Sequence, residues 1–400
     1  MSYVPQNLVY VYYHGLEGEI LVGRLLRKGR KLYFEYDVDF LRLGLELSPF
    51  KLPLKSGVIL PNDWTFEGLF GVFNDSLPDG WGRLLLDRKL MGLGINPGDL
   101  SPLDRLCFVG SNGMGALSYQ PENTSSFTPL LSDLDEIDHE IQNYQAQEDG
   151  SYVDDLLALG GSSSGARPKI LLHIDKDEWL VKFRSSLDPK DIGAIEYAYH
   201  LMAIDAGLNV PEAKFFPSRK GGGFFGVKRF DREGRRRIHM HTIAGLLHAD
   251  HREPSLDYEA VMKVSKYLTR DSRECEVQFR NAVFNVLSHN RDDHSKNFSF
   301  LMTGNGTWSV SPAYDLTFSS GPSGEHTTMV MGAGKYPKRE HLLKLAAVGG
   351  IKNDKALEIT DQVFSAVKKW KVFARDTDVS KLQATRIAET LDLIAKDILN

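Results

Sequence analysis

Residues 288–300 read SHNRDDHSKNFSF, and residues 311–318 read SPAYDLTF. The first stretch crowds Asp292, Asp293, His294, Lys296 and Asn297 into six positions, between a helical pattern (FRNAVFNVLSHN) and an apolar strand-like run (FSFLM). The second sets one further carboxylate, Asp315, inside an apolar, strand-like segment. Ordinary cores avoid this, because a carboxylate taken out of water needs a partner. Asp292 and Asn297 stand five apart on a polar loop. Kinase catalytic loops use that spacing: the aspartate accepts the proton of the substrate hydroxyl, the asparagine holds Mg²⁺, and a second aspartate downstream bridges metal and phosphates. Arg291 precedes Asp292 as in the Arg-Asp pair of such loops, while His289 sits one position early. Phosphoryl transfer asks for these residue types because the protein's task is mainly to orient a hydroxyl and neutralise phosphate charge.

A turn rich in Asp and Asn can equally be a solvated loop, so the order of the other groups carries the argument. Lys182 ends a strand pattern upstream, and Asp315 follows downstream, in the order a kinase requires. Glu196, on the helix after Lys182, is a candidate partner for that lysine. His289 and His294 lack a second spaced pair, so loop hydrogen bonding fits them better than metal ligation. The loop GGSSSGARPK, residues 160–169, invites a phosphate reading, because glycine lets backbone N–H groups approach an anion. It is not a Walker loop: Gly160 and Gly165 have the right separation, but Ala166 and Arg167 stand where Lys and Ser/Thr are needed.

The bulk composition agrees with a folded protein of more than one domain. The chain has 400 residues, 42% hydrophobic and 25% charged, with a formal net charge of −5. That balance excludes a disordered chain and one that coats nucleic acid by net charge. Cys107 and Cys275 are the two cysteines, too few for a disulfide framework, and a reducing cytoplasm fits them. The start MSYVPQNLVYVYYHG lacks a secretory pattern, and no apolar run reaches spanning length, so no membrane role is expected.

Along the chain, LVYVYY, EILVGRLL and LYFEYDV, separated by HGLEGE and RKGRK, read as an antiparallel meander. FEGLFGVFNDSLPDGWGRLLLDRKL turns helical, and LCFVGSNGMGALSYQP reads as a hairpin. After PENTSSFTP comes an acidic helical segment, LSDLDEIDHEIQNYQ. Two strands follow the Gly/Ser loop, the second ending at Lys182; then a helix carries Ala194, Ala198, Leu201 and Met202 on one face, with Gly207 and Pro211 as stop signals. RKGGGFFGVKRFDR gives another turn and strand. Beyond Arg235 the pattern is mostly helical, with Ile359, Val363, Val367 and Trp370, then Ile387, Leu391, Ile394 and Ile398, at helical spacing. Three parts are expected: a β-rich subdomain (1–125), a strand-rich nucleotide lobe with the Gly/Ser loop (126–235) and a helical lobe with the catalytic and metal motifs (236–400).

With these pieces in this order, the chain resembles the HipA family of bacterial serine/threonine kinases, the toxins of toxin–antitoxin pairs. FNDSLPDGWGR is similar to that family's N-terminal Leu-Pro-Asp segment, FVGSNGMGALSY to the hairpin that closes the subdomain, and SSSGARPK to its Ser-x-x-Gly-Ala-Gln-x-Lys loop. VKRFDR resembles its hinge, RDDHSKNFS its catalytic loop and SPAYDLT its metal motif. The resemblance implies an α+β, protein-kinase-like two-lobed fold with a small β-rich N-terminal subdomain, using ATP and Mg²⁺. It makes Asp292 the base and Asn297 and Asp315 the metal ligands. Ser164, Gly165, Ala166, Arg167, Pro168 and Lys169 would cover the triphosphate, Lys182 would touch the phosphates, and Lys228, Arg229 and Phe230 would lie on the adenine side. His294, Ser295, Lys296 and Tyr314 would complete the nucleotide site. Ser162 would be the serine the protein phosphorylates on itself, with Ser163 and Ser164 adjacent alternatives. The chain departs from the family at Arg167, which replaces a glutamine, and at Asp293, which replaces a small residue beside the base. The resemblance further implies a helix-turn-helix, HipB-like antitoxin, DNA reached through it, and a protein substrate such as an aminoacyl-tRNA synthetase. Two rivals share the motifs: a small-molecule phosphotransferase, and an inactive kinase fold serving as corepressor.

Overall fold

The computed structural model describes residues 4–123, 133–146, 153–160, 165–234 and 236–399. The chain forms two compact units. The first comprises 1–188, 228–248 and 301–307; the second comprises 189–227, 249–300 and 308–400.

In the first unit the expected meander is a five-stranded antiparallel sheet in the order Val58–Ile59, Lys31–Tyr36, Ile20–Lys28, Leu8–Tyr13, Leu117–Gln120. Val9, Val11 and Tyr13 alternate inward, as do Leu32, Phe34 and Tyr36, so period-2 patterning puts one face of the sheet in the core. Phe34 meets Tyr36, Phe70 and Phe73 there at centroid separations of 4.8–6.2 Å. The two-residue turn between Lys28 and Lys31 uses Gly29 at φ 61°, which a primed hairpin turn requires.

One expected hairpin is absent. Residues Pro102–Val109 are a helix, and Leu117–Gln120 pairs instead with Leu8–Tyr13. The local cause is a capping box: Ser101 Oγ accepts from Asp104 N at 3.3 Å, and Asp104 accepts from Ser101 N at 2.8 Å, with Pro102 in the first turn. These signals outweigh the β-like run LCFV. The same unit holds the helix Gly80–Gly92 and the hairpin Lys169–Ile174 with Asp177–Lys182.

In the second unit, helices Ile192–Asp205, Tyr258–Thr269, Ser272–Leu287, Arg339–Val348, Asn353–Val367, Trp370–Asp376 and Lys381–Leu399 surround a core that includes Tyr199, Phe279, Phe284 and Trp370. The sequence reads 359–370 as one helical stripe; the helix stops at Val367 and a new one begins at Trp370, whose indole packs 5.3 Å from Tyr199. Asp315 lies in irregular backbone, not in a strand. Among the described residues, no helix is long and apolar enough to cross a membrane, and Cys107 and Cys275 are free, buried thiols.

The first unit also carries a buried ion network. Arg229 donates to Asp231 at 2.7 and 2.9 Å and to Glu178 at 2.8 Å. Arg232 donates to Asp231 at 2.8 Å, and Gly115 N at 2.7 Å. Burial alone would raise the Asp231 pKa, but Arg229 and Arg232 overcome it and hold the carboxyl below its usual range. Asp231→Ala should therefore cost about 3–5 kcal/mol in urea unfolding at neutral pH, because two guanidinium groups lose their buried counter-charge. The wild-type advantage should be full above pH ~4 and fade as pH falls below it, since the folded carboxylate resists protonation that the unfolded one accepts.

Candidate active site

Asp292, Asn297 and Asp315 all belong to the second unit. The loop that bears the first two leaves the helix Ser272–Leu287 through His289, a non-glycine residue at φ 57°. The His289 ring stacks on Phe318 at 5.0 Å, and its backbone carbonyl accepts from Ser319 N at 3.0 Å. Burial, helped by Arg291, pushes its pKa down to about 4, so this imidazole is neutral. Arg291 donates to the carbonyls of Gly324 and Lys335, the latter at 2.9 Å.

The adjacent aspartates have opposite surroundings. Asp293 is 1% exposed and accepts four hydrogen bonds: from Tyr258 OH at 2.9 Å, His326 Nδ1 at 2.8 Å, Thr327 N at 2.9 Å and Thr328 N at 3.2 Å. Burial, and then the Asp293 charge, raises the Tyr258 pKa far above its ordinary value, so the phenol remains a donor. Asp292 is exposed. Asn297 Nδ2 donates to the Asp292 backbone carbonyl at 2.7 Å, which leaves Oδ1 as the end of that amide open to a cation. A short 3₁₀ turn, Ser295–Asn297, sets this position, and Ser295 Oγ donates to Ala249 O at 2.8 Å. Tyr314 OH donates to the Lys296 carbonyl, tying the Asp315 segment to the loop. Asp315 itself is half-buried at φ 57°, a left-handed conformation that costs a non-glycine residue energy and recurs at functional sites. The His294 ring lies 5.5 Å from that of His251. Among the described residues, no cluster of three or more His, Cys, Asp or Glu has metal-binding geometry.

The remaining expected residues lie in the first unit. Ser162, Ser163 and Ser164 fall outside the described residues. Gly165, at φ 99°, donates its N–H to Asp79 and accepts from Trp81 N at 3.0 Å. A Cβ on Gly80 would fall 2.5 Å from the Gly165 oxygen, so residue 80 has to be small here. The Lys169 amine lies beside Gly165: a Cβ there would sit 2.3 Å from Nζ. Lys169 and Lys182 are directly opposed across their hairpin and are 4% and 8% exposed. Arg167 forms a forked pair with Asp188 at 3.2 and 3.0 Å. Pro168 O accepts from Phe183 N at 2.8 Å; Lys228 pairs with Asp177 at 2.7 Å, and Arg229 is committed to the buried network beside Phe230.

Sequence reasoning missed the supports. Tyr258, His326, Thr327 and Thr328 hold Asp293 from more than 30 positions away, with no spacing to reveal them. A different constellation, Ser48 Oγ, His241 Nε2 (2.9 Å) and His241 Nδ1 to Asp75 (2.6 Å), has the order of an acyl-transfer triad. Ser48 and His241 are fully buried, and Asp75, partly buried, also accepts from Thr242 N and Oγ1, so it is a structural brace.

The model of the HipA N-terminal domain matches residues 11–120, and that of the HipA-like C-terminal domain matches residues 161–371, more than half the chain. The chain belongs to the HipA family. The Shewanella oneidensis MR-1 complex of HipA, HipB and operator DNA contains a chain of the same fold: TM-score 0.69 at 17% identity, over 97% of this HipA-family chain and 96% of that one. The α+β, kinase-like two-lobed class expected from the motifs is thus the class present. A Sinorhizobium fredii protein described as a candidate kinase, Y4dM, is 29% identical over 151 residues, which are 34% of this chain and 36% of that protein, so the chain spans about a third of that relative's length. The Helicobacter pylori proinflammatory kinase CtkA overlaps with TM-score 0.43 and 15% identity, over 57% of this chain and 90% of its own.

The two aspartates should separate in a stability measurement. Asp293→Ala strands a phenol, an imidazole and two backbone N–H groups without their acceptor, and should cost about 3 kcal/mol or more in chemical unfolding. Asp292→Asn, at an exposed site, should stay within about 0.5 kcal/mol of wild type.

Proposed function

We propose that this HipA-family chain is an ATP-dependent serine/threonine kinase that transfers the γ-phosphate to a protein hydroxyl. The observation that carries this reading is the contrast within the loop: Asp293 is buried in its network, whereas Asp292 is exposed and has Asn297 latched to its backbone carbonyl. Asp292 accepts the proton of the incoming hydroxyl. Asn297 Oδ1 and the Asp315 carboxylate form an all-oxygen donor set with a single charge, which suits Mg²⁺, a cation that keeps several waters. When bound, Mg²⁺ supplies the charge that offsets the phosphate oxygens. Lys169 and Lys182 concentrate positive charge at one end of a hairpin, beside the backbone of Gly165, as a polyphosphate requires. Arg167 to Pro168 complete the loop over the phosphates, Lys228 to Phe230 attend the adenine, and His294, Ser295, Lys296 and Tyr314 line the nucleotide site. On this reading the parts 1–125, 126–235 and 236–400 act as closing subdomain, nucleotide lobe and catalytic lobe.

The Shewanella HipA is found with HipB and operator DNA. By extension, we assign this chain a HipB-like helix-turn-helix antitoxin, contact with DNA through that partner, a growth-inhibiting role in the cytoplasm, and a substrate among translation components such as an aminoacyl-tRNA synthetase. Self-phosphorylation at Ser162 would add up to about −2 charge beside ATP and the acidic ligands, which disfavours a closed loop and switches the kinase off.

Incubation with labelled ATP, Mg²⁺ and a cell lysate should show transfer by wild type. Asp292→Asn should keep nucleotide binding and lose transfer by about 10²–10⁴-fold, while Asp315→Ala should weaken binding of Mg²⁺-ATP itself. Full transfer by Asp292→Asn would remove the assigned base. Mass spectrometry after incubation with Mg²⁺-ATP should find phosphate between Leu156 and Arg167, on Ser162, and Ser162→Ala should stay active longer. Phosphate confined to other peptides, or an unchanged decay in Ser162→Ala, would end the switch.

A further inference from the structure

Helix Ser272–Leu287 carries a stripe of carboxamides, Gln278, Asn281 and Asn285, at i, i+3 and i+7. They are 2%, 8% and 5% exposed, an expensive arrangement unless each polar atom is matched. The stripe lines a cavity of about 20 Å³ with Asn290, Asn297 and the hydroxyls of Ser299 and Ser311. Part of the polar surface is satisfied internally. Asn285 Nδ2 donates to Tyr258 OH at 2.9 Å, Asn290 Nδ2 to Asn285 Oδ1 at 2.9 Å, and Ser299 Oγ to Ser311 Oγ at 2.9 Å.

Three buried atoms remain without a protein partner: one donor, Gln278 Nε2, and two acceptors, Asn281 Oδ1 and Asn290 Oδ1. A cation would be attracted to the two oxygens and repelled by the amide N–H groups. A water molecule has the chemistry that matches all three, able to accept from Gln278 and to donate to Asn281 and Asn290, and three bonds are what buried waters typically make. The space suffices, since one water needs about 10–15 Å³.

We infer that this cavity is a water site, and that Gln278 and Asn281 act through it as positioning residues for the catalytic loop. The water joins the helix to Asn290, at the root of the loop, and abuts Asn297, at its far end. Its function would be to hold the loop backbone in register, so that Asn297 Oδ1 stays aimed at its cation. The link to the cation rests on the kinase reading above; the water site does not.

The test uses the full chain. Long-lived internal waters are counted by ¹⁷O magnetic relaxation dispersion, and affinity for Mn²⁺, as a probe in place of Mg²⁺, is titrated by electron paramagnetic resonance in the presence of a non-hydrolysable ATP analogue. Gln278→Met fills similar volume without the donor; Asn281→Leu is the second variant should the first fold poorly. The variants should lose the dispersion contribution and bind Mn²⁺ on the order of tenfold more weakly, as loss of outer support to a metal ligand typically does, while a neighbouring carboxamide-preserving change, Gln278→Asn, should restore part of both. An unchanged dispersion profile would overturn the water site. Lost dispersion with unchanged Mn²⁺ affinity and a lowered melting temperature would overturn the positioning role and leave a structural water. If wild type binds no Mn²⁺, the reading of Asn297 and Asp315 as ligands fails, and the dispersion result alone rules on the water.

Discussion

The carboxylate of Asp293 is the point on which the loop 291–297 depends. It draws donors from a helix (Tyr258) and from the segment His326–Thr328, and each bond to a charged acceptor is worth about 1.5–3 kcal/mol. The surrounding geometry follows from that convergence. The segment it captures continues into the short parallel pairing of Leu256–Asp257 with Thr328–Met329, and Asp257 then accepts from Glu259 N at the start of the next helix and from Met331 and Gly332 N. One buried charge thus connects a helix start, a strand pair and a loop. Asp293 is drawn inward while its neighbour Asp292 is exposed.

Much of this was legible in the sequence, and what was not has a physical reason. The meander, the helix behind the catalytic loop and the hairpin ending at Lys182 announce themselves through period-2 and period-3.6 patterning, which local burial enforces. LCFV reads as a strand by composition, yet Ser101, Pro102 and Asp104 start a helix, since a cap satisfies N–H groups that apolar content cannot. Trp370 continues a helical stripe on paper but opens a new helix, from which it packs against Tyr199. The loop stood out because Asp292, Asn297 and Asp315 recur at a spacing that phosphoryl transfer uses. Its supports did not: a buried acceptor can recruit donors from any distance along the chain, and neither Tyr258 nor His326 stands in a pattern.

The carboxamide stripe illustrates the middle case. Gln278, Asn281 and Asn285 are visible at helical spacing on a helix that also carries Arg273, Glu274, Glu276 and Arg280, but an exposed polar face has the same pattern, and only burial separates the two. Polar groups of this kind contribute little net stability, and their effect is geometric: an amide with a defined partner tolerates one orientation. On the kinase reading, a loop that presents Asp292 and Asn297 at defined positions gains more from such restriction of freedom than from added binding energy.

The contact of Gly165 with Asp79, Gly80 and Trp81 has a consequence for how the chain can change over time. Positions 80 and 165 are 85 apart in sequence, yet a methyl group at the first would intrude on the carbonyl of the second. Position 80 is held to glycine by a backbone carbonyl that every residue at 165 would carry. The conformation of the Gly165 turn is in effect written in two places, and a recombination event that exchanged the N-terminal domain for another would carry away one half of its specification while leaving the other half intact.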